Sequence, residues 1–166
     1  NEQRRELMLR LNEYLFQRQG IKSITIDIDT TALPVDGHQE GAEKGYCPAE
    51  PGSRCFQNLS AICDNTKTTL DEDTRPGNTH CSLNCIAFAQ RILDRFAPQM
   101  ERIVIRMDKG FFSDNLLKAL EAYPKVIYEI GVPQHSWLQT YVRRLDYKSY
   151  HSSGRQYAKF QRFGEA

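Results

Sequence analysis

The sequence predicts an α/β protein in which a mixed β-sheet is covered by helices. Strand-like segments of alternating or continuous apolar residues are separated by segments of helical period. Their order is strand, hairpin, helix, strand, helix, strand, helix, which indicates a sheet with both antiparallel and parallel parts. Hydrophobic residues make up 40% of the chain and charged residues 26%, which is ordinary for a globular domain with a buried core.

An amphipathic helix is predicted at the beginning of the chain, over residues 3–18. Leu7, Leu11 and Leu15 recur every four positions and are expected to form its buried stripe. Gly20 ends it, as glycine commonly does at the carboxyl end of a helix.

The first strand is predicted over residues 23–31. Its isoleucines alternate with Thr25, Asp27 and Asp29, so these polar residues share the opposite face. Residues 32–53 are rich in glycine, proline and charge, which predicts a long loop. Loops of this length within compact domains are usually functional or disordered.

A hairpin and a helix are predicted next. Residues 54–63 and 68–73 are strand-like and are separated by turn-forming residues. Asn78 or Thr79 is expected to cap the helix that follows, which ends near Phe96.

The remaining elements alternate between strand and helix. Residues 102–107 contain an uninterrupted apolar run, typical of a strand buried on both faces. Ser113 is expected to cap a helix that ends at Glu121, and residues 126–130 form another short strand. Residues 137–145 are predicted to be helical.

Basic and aromatic residues alternate through the stretch 141–163. Basic side chains neutralise phosphates and aromatic rings stack on bases, which favours nucleic-acid binding. A β-hairpin with aromatic cross-strand pairs would produce the same alternation, so both interpretations stay open. The basic residues that would contact DNA are Arg143, Arg144, Lys148, Arg155, Lys159 and Arg162.

Composition limits the class of protein. The net charge of +1 requires a nucleic-acid partner to meet a local basic patch. No apolar run approaches the ~20 residues that cross a bilayer, and no secretory signal opens the chain, so we expect a cytoplasmic protein without a membrane partner. The 5 cysteines have no C-x2-C pair, which favours free thiols over zinc ligands, although Cys81, Cys85 and His80 lie close in sequence.

Two carboxylates are expected at the edge of the sheet where ligands bind in α/β proteins. Asp29 and Asp108 each end a predicted strand. Two neighbouring carboxylates repel each other unless a cation joins them, and Mg²⁺ needs only one or two carboxylates with waters and phosphates. Asp27 shares the face of Asp29 and is a possible further ligand. A single aspartate at a strand end also serves as a cap or turn former, which remains the alternative for each residue.

Four motifs strengthen the functional interpretation. They are IDIDTT at 26–31, QEGAEKGY at 39–46, RPGNTH at 75–80 and RMDKGFF at 106–112. In this order they strongly resemble the DDE transposases of bacterial insertion sequences, from about Ile24 to the end of the chain.

That resemblance implies a ribonuclease H-like fold in which three carboxylates hold two Mg²⁺ or Mn²⁺ ions. Asp29 would be the first acid and Asp108 the second. The implied reaction is hydrolysis at the transposon end, followed by attack of the freed 3′-hydroxyl on target DNA. Active transposases are assemblies, so a homo-oligomer is implied as well. Four residues would then lie near DNA or the rim of the site: Lys44, Arg75, Asn78 and His80.

The family's third acid, a glutamate, is not found in its expected setting. Tyr141 and Arg144 have the spacing of the family's signature, but Lys148 occupies the glutamate position. We therefore expect the third acid beyond residue 166, and an incomplete chain that is inactive alone. The predicted organisation is an N-terminal helix at 1–22, a partial catalytic core at 23–146 and the start of a β-rich insertion at 147–166.

Two other functions remain open. Residues 27–31 read D-x-D-x-T, similar to the nucleophile loop of haloacid dehalogenase-type phosphatases, in which Asp27 would attack phosphorus and Asp29 would act as the general acid. A transposase remnant that binds DNA without cutting it is the other alternative.

Overall fold

A computed structural model of the protein describes residues 2–133, 136, 139–140, 148–149 and 156–157. The chain divides into two compact units, Asn1–Val132 and Pro133–Ala166. In the second unit, the strands β7 (Lys148–Ser149) and β8 (Gln156–Tyr157) pair antiparallel. Helical residues there include Ser136, Gln139 and Thr140, whereas most of the predicted helix at 137–145 lies outside the described residues.

The first unit contains the sheet and the helices that cover it. The helices are α1 (Glu2–Gln19), α2 (Cys85–Phe96) and α3 (Asp114–Glu121), with a 3-10 turn at Lys109–Phe111. The strands are β1 (Ser23–Val35), β2 (Glu43–Lys44), β3 (Arg54–Cys63), β4 (Thr68–Pro76), β5 (Arg102–Met107) and β6 (Val126–Ile130).

The sheet is mixed, as the sequence predicts. Its strands lie in the order β2-β3-β1-β5-β6, and β4 also pairs with β3. β1, β2, β3 and β4 are joined by antiparallel pairing, and β5 is parallel to both β1 and β6. The hairpin of β3 and β4 is confirmed.

The core lies between one face of this sheet and the three helices. Ile24, Ile26 and Ile28 of β1 are buried there, because alternate residues of a strand point to the same face. β5 contributes Ile103 and Ile105. The polar residues of β1 therefore lie on the opposite face.

β1 is longer than the sequence predicts. It continues past Thr31 to Val35, because β3 supplies backbone partners from Ile26 as far as the pair Val35 and Arg54. Its pairing with β5 is shorter and ends at Ile28 and Met107.

The buried face of α1 differs from the predicted leucine stripe. Leu7 and Leu11 are 67% and 54% exposed, whereas Leu9, Asn12 and Phe16 are buried. The prediction from the four-residue leucine repeat was therefore wrong about which side of this helix packs on the protein.

Two specific contacts explain the orientation of α1. The ring of Phe16 meets that of Phe96 edge to face, with centroids 5.4 Å apart. The amide of Asn12 donates to the carbonyl oxygen of Thr69 in β4 at 2.9 Å. The orientation of α1 that allows the contact of Phe16 and the hydrogen bond of Asn12 is more stable than one that would bury Leu7 and Leu11.

α2 begins later than the sequence predicts. Neither Asn78 nor Thr79 caps it, and the residue before Cys85 is Asn84 in a left-handed conformation with φ 57°. The guanidinium of Arg75 binds the carbonyl oxygens of Cys81 and Leu83, which holds these residues in a turn. At α3 the prediction is confirmed, because the hydroxyl of Ser113 accepts from the backbone N–H of Leu116 at 3.3 Å.

Among the described residues, every helix is too short or too polar to cross a membrane.

Candidate functional site

A cavity of about 310 Å³ opens where the parallel pairing of β1 and β5 ends. Its lining combines two carboxylates with neutral polar, aromatic and thiol groups. The lining residues are Asp29, Thr30, Tyr46, Gln57, Thr79, His80, Cys81, Asp108, Gly110 and Phe111.

The strand register places Asp29 and Asp108 side by side. Each is the first residue after the last parallel pair, Ile28 and Met107. Both are exposed and both line the cavity. The two residues therefore lie near each other as predicted, but Asp29 does not end its strand, because β1 continues to Val35.

Each of the two carboxylates is oriented by the residue after it. Oδ1 of Asp29 accepts from the backbone N–H of Thr30 at 2.7 Å, and Oδ1 of Asp108 accepts from that of Lys109 at 2.6 Å. An ionised carboxylate has about four lone-pair sites, so most of each group stays available for a cation.

Asp27, the possible further ligand, lies outside the cavity lining. Both of its oxygens accept from Arg106, at 2.5 Å from Nε and 2.7 Å from a terminal nitrogen. The same guanidinium lies 3.2 Å from Asp64. The hydrogen bonds that Arg106 donates to Asp27 raise the pKa of Arg106 above its usual value. This ion pair gives Asp27 a partner on the outer face of the sheet, which is the face opposite the core.

His80 is the predicted DNA-contacting residue that lines the cavity. Its Nδ1 accepts from the backbone N–H of Ser82 at 3.2 Å, which leaves the proton of the neutral ring on Nε2. Asn78 and Lys44 are exposed, but neither belongs to the cavity lining.

Arg75 has a structural position that does not suit a contact with DNA phosphate. It is buried, and its guanidinium donates to Leu83 at 2.8 Å, to Cys81 at 3.3 Å and to the hydroxyl of Thr30 at 3.3 Å. Burial lowers its pKa. Its role is to hold the turn before α2 against β1.

The basic residues of the C-terminal stretch cannot be placed relative to this cavity. Lys148 is described only as part of the backbone of β7. Arg143, Arg144, Arg155, Lys159 and Arg162 lie outside the described residues.

Two lining residues, Gln57 and Cys81, lie outside the four motifs, and Tyr46 belongs to the motif at 39–46 but was not predicted as a site residue. Gln57 carried a recognisable signal, since it is a buried polar residue at an inward position of β3 between Cys55 and Leu59. Its Nε2 donates to the carbonyl oxygens of Tyr46 at 2.8 Å and Gly77 at 3.3 Å.

The cysteines are spread over the core and the cavity. Cys81 is half-buried and donates its thiol to the carbonyl oxygen of Gly110 at 3.2 Å. The other four are buried, and burial raises the pKa of Cys55 and of Cys85. Raised thiol pKa values make these groups poor nucleophiles.

The donor set of the cavity fits Mg²⁺ or Mn²⁺ better than zinc. Oxygen ligands suit these harder ions, and two carboxylates complete a site together with waters and phosphate oxygens. Within the part of the chain that the structure describes, no cluster of three or more His, Cys, Asp or Glu residues is arranged to hold a metal.

A family model described as transposase DDE domain group 1 matches residues 1–164. The chain belongs to this transposase family. The match covers nearly the whole sequence and confirms the resemblance on which the interpretation of the four motifs depended. An origin in a bacterial insertion sequence stays a prediction.

Solved transposase structures are similar to this chain, and the piggyBac structure is similar in fold. PiggyBac transposase in a synaptic complex with hairpin DNA is 20% identical, with a TM-score of 0.50 over 68% of this chain and 23% of that chain. The catalytic domain of Mos1 mariner transposase is 12% identical, with a TM-score of 0.45 over 92% of this chain and 78% of that chain. No curated protein sequence matches the chain.

The mixed sheet flanked by helices is therefore similar to a transposase fold, in agreement with the ribonuclease H-like arrangement expected from the sequence. The chain spans about 23% of the length of the piggyBac chain that it matches.

Proposed function

We propose that this chain carries the catalytic core of a DNA transposase, with Asp29 and Asp108 as two of its metal-binding carboxylates. The observation that carries this proposal is their juxtaposition in one cavity at the ends of the parallel pairing of β1 and β5. Family membership supplies the reaction class, which is the cleavage of DNA at transposon ends and the joining of those ends to target DNA.

In this proposal, Asp29 and Asp108 bind divalent cations through the lone pairs that their own backbone hydrogen bonds leave free. Mg²⁺ or Mn²⁺ bound there would activate the attacking oxygen and stabilise the leaving oxygen of a phosphodiester. The pair of carboxylates repels phosphate until cations neutralise it, so metal binding and DNA binding are expected to support each other.

Two hydrogen-bond donors of the cavity are suited to bind a phosphate oxygen. The hydroxyl of Thr79 and Nε2–H of His80 belong to the same lining as the carboxylates. The backbone N–H of Ser82 holds the His80 ring in the tautomer that donates from Nε2. The DNA substrate would be the transposon ends and the target, handled by an assembly of several copies of the protein.

The haloacid dehalogenase-type alternative is disfavoured by the position of Asp27. A phosphatase nucleophile must face the substrate, whereas both oxygens of Asp27 bind Arg106 and the residue does not line the cavity.

Calorimetric titration with Mn²⁺ tests the proposal on the parent chain and on its Asp29→Ala and Asp108→Ala variants. We expect the parent to bind Mn²⁺ and each variant to lose most of that affinity, because each removes one of two shared carboxylates. Asp27→Ala is the matched control, since it removes a neighbouring carboxylate of the same strand, and it should bind like the parent.

Two outcomes would contradict the proposal. One is a parent chain that does not bind Mn²⁺. The other is binding that persists in Asp29→Ala but disappears in Asp27→Ala, which would place the metal on the outer face of the sheet. DNA binding that survives the loss of both cavity aspartates would favour a protein that binds DNA without cutting it.

A further inference from the structure

An exposed tyrosine stands on the cavity that contains the two carboxylates. Tyr46 lines this cavity together with Asp29 and Asp108, and 80% of its surface is exposed. An aromatic ring that stays mostly exposed to solvent adds little to the stability of the fold. The same ring beside a nucleic-acid site has an obvious partner, since every base presents a π-face.

The backbone below this ring is firmly held. The carbonyl oxygen of Tyr46 accepts from Nε2 of Gln57 at 2.8 Å, and Gln57 itself is buried in β3. The same nitrogen lies 3.3 Å from the carbonyl oxygen of Gly77, so one side chain joins the loop to the turn that follows β4.

Two glycines bring these segments into direct contact. A Cβ on Gly45 would lie 1.8 Å from the carbonyl oxygen of Gly77, and a Cβ on Gly77 would lie 2.1 Å from that of Glu43. The residue preceding Tyr46 therefore lies against the turn that leads to Thr79 and His80. Because the backbone of Tyr46 is already held, a ligand that binds its ring has to order only the side-chain torsions of this residue. The conformational entropy lost on binding is therefore small.

Charge favours a base over a phosphate as the partner of this ring. Asp29 and Asp108 make the floor of the cavity negative, which repels the phosphates of an approaching strand. A phenol ring is neutral, and stacking on a base holds the strand without requiring a further cation. The binding gained in this way is available before metal ions enter.

We propose that Tyr46 stacks on a base of the DNA strand whose phosphate lies at Asp29 and Asp108. This inference rests on the proposed function for the identity of the ligand as DNA. Tyr46 is then a substrate-binding residue that sets the position of the scissile phosphate, and Gln57, Gly45 and Gly77 are positioning residues that act through it.

The probe is a short oligothymidylate that carries a single 2-aminopurine, whose fluorescence falls when it stacks. We expect the parent chain to bind this strand and to quench the fluorescence. Tyr46→Ala should remove the quenching and weaken binding, measured by anisotropy, by about tenfold. Tyr46→Phe should behave like the parent, because it keeps the ring and loses only the hydroxyl.

Tyr14→Ala is the matched control, because Tyr14 is an exposed tyrosine of α1 that does not line the cavity. It should leave both signals unchanged. The proposal is overturned by a parent chain that binds without quenching or does not bind. It is also overturned if Tyr46→Ala quenches like the parent, or if Tyr46→Phe is as weak as Tyr46→Ala, which would assign the role to the hydroxyl.

The metal titration separates this inference from the proposed function. Quenching that depends on Tyr46 in a chain that binds no Mn²⁺ would refute the metal site and keep the stacking contact. Mn²⁺ binding that requires Asp29 and Asp108, without quenching of the 2-aminopurine, would support the metal site and refute the stacking contact of Tyr46.

Discussion

At the scale of single residues, the cavity depends on where the pairing of two strands stops. Asp29 and Asp108 follow the last parallel pair, so neither carboxylate is covered by the next strand. A shift of either strand by one residue would turn its own carboxylate toward the opposite face of the sheet and separate the pair. Their backbone hydrogen bonds then fix the orientation that the register provides.

The contact of Gly45 with Gly77 is the other residue-scale determinant of the cavity. Here glycine is required by close approach and not by an unusual backbone torsion, because the neighbouring carbonyl groups occupy the space of a side chain. Separation of the two segments would move Tyr46 and Thr79 away from the carboxylates.

Gly77→Ala should lower the free energy of unfolding by about 2–3 kcal/mol, because the added methyl group overlaps the carbonyl oxygens of Glu43 and Cys55. Gly20→Ala is the control, since a Cβ there meets nothing within 4 Å and the cost is the left-handed torsion alone, about 1 kcal/mol. Urea denaturation of both variants measures the difference. Equal losses would show that the two segments separate at little cost.

At the scale of elements, polar contacts and one aromatic pair decide how α1 packs. Asp71 of β4 is fully buried and lies 2.5 Å from Arg91 of α2 and 3.4 Å from Arg5 of α1. This cluster joins two helices to the edge of the sheet. Removal of one partner from a buried ion pair is strongly destabilising, so these contacts restrict the rotation of α1.

Phe16→Ala should lower the free energy of unfolding by about 3–4 kcal/mol, since it removes a buried ring from the contact with Phe96. Leu11→Ala should change it by less than about 0.5 kcal/mol, because this leucine is 54% exposed. Thermal or urea unfolding of the two variants provides the comparison. A larger loss of unfolding free energy for Leu11→Ala than for Phe16→Ala would show that the leucines form the packing face of α1.

At the scale of the whole molecule, three parts of the sheet have different roles: one face forms the core, the other face carries an ion pair, and the end of the parallel pairing carries the cavity. One face packs against the three helices and supplies the core. The other carries the ion pair of Asp27 with Arg106. The acidic cavity lies where the parallel pairing of β1 and β5 ends, and a cation there would bind the folded chain but not the unfolded one.

Mn²⁺ should therefore stabilise the whole molecule by linkage. At a concentration of about one hundred times the Kd, the free energy of unfolding should rise by about 2.7 kcal/mol. Asp108→Asn should abolish this rise without lowering stability in the absence of metal, because the amide oxygen still accepts from Lys109 and one repulsive charge is gone. Calorimetric melting with and without Mn²⁺ measures both effects. A variant that Mn²⁺ stabilises as much as the parent would place the ion elsewhere.

The sequence by itself determined the class of fold and the family. Alternation in β1, the apolar run of β5 and the turn between β3 and β4 are local signals, and they predicted the mixed sheet correctly. The order of four motifs predicted the family, which the match over residues 1–164 confirms. These features are encoded in neighbouring residues, so no knowledge of the packing was needed.

Only the tertiary structure decided which groups surround the two carboxylates of the cavity. Tyr46 and Gln57 reach the cavity because β3 pairs with β1 and Gln57 holds the loop that precedes β3, and Arg75 is withdrawn from it because its guanidinium is buried under a turn. The rotation of α1 was decided in the same way, by Phe96 and Thr69. Such contacts join residues far apart along the chain, and periodicity describes only the residues within one element.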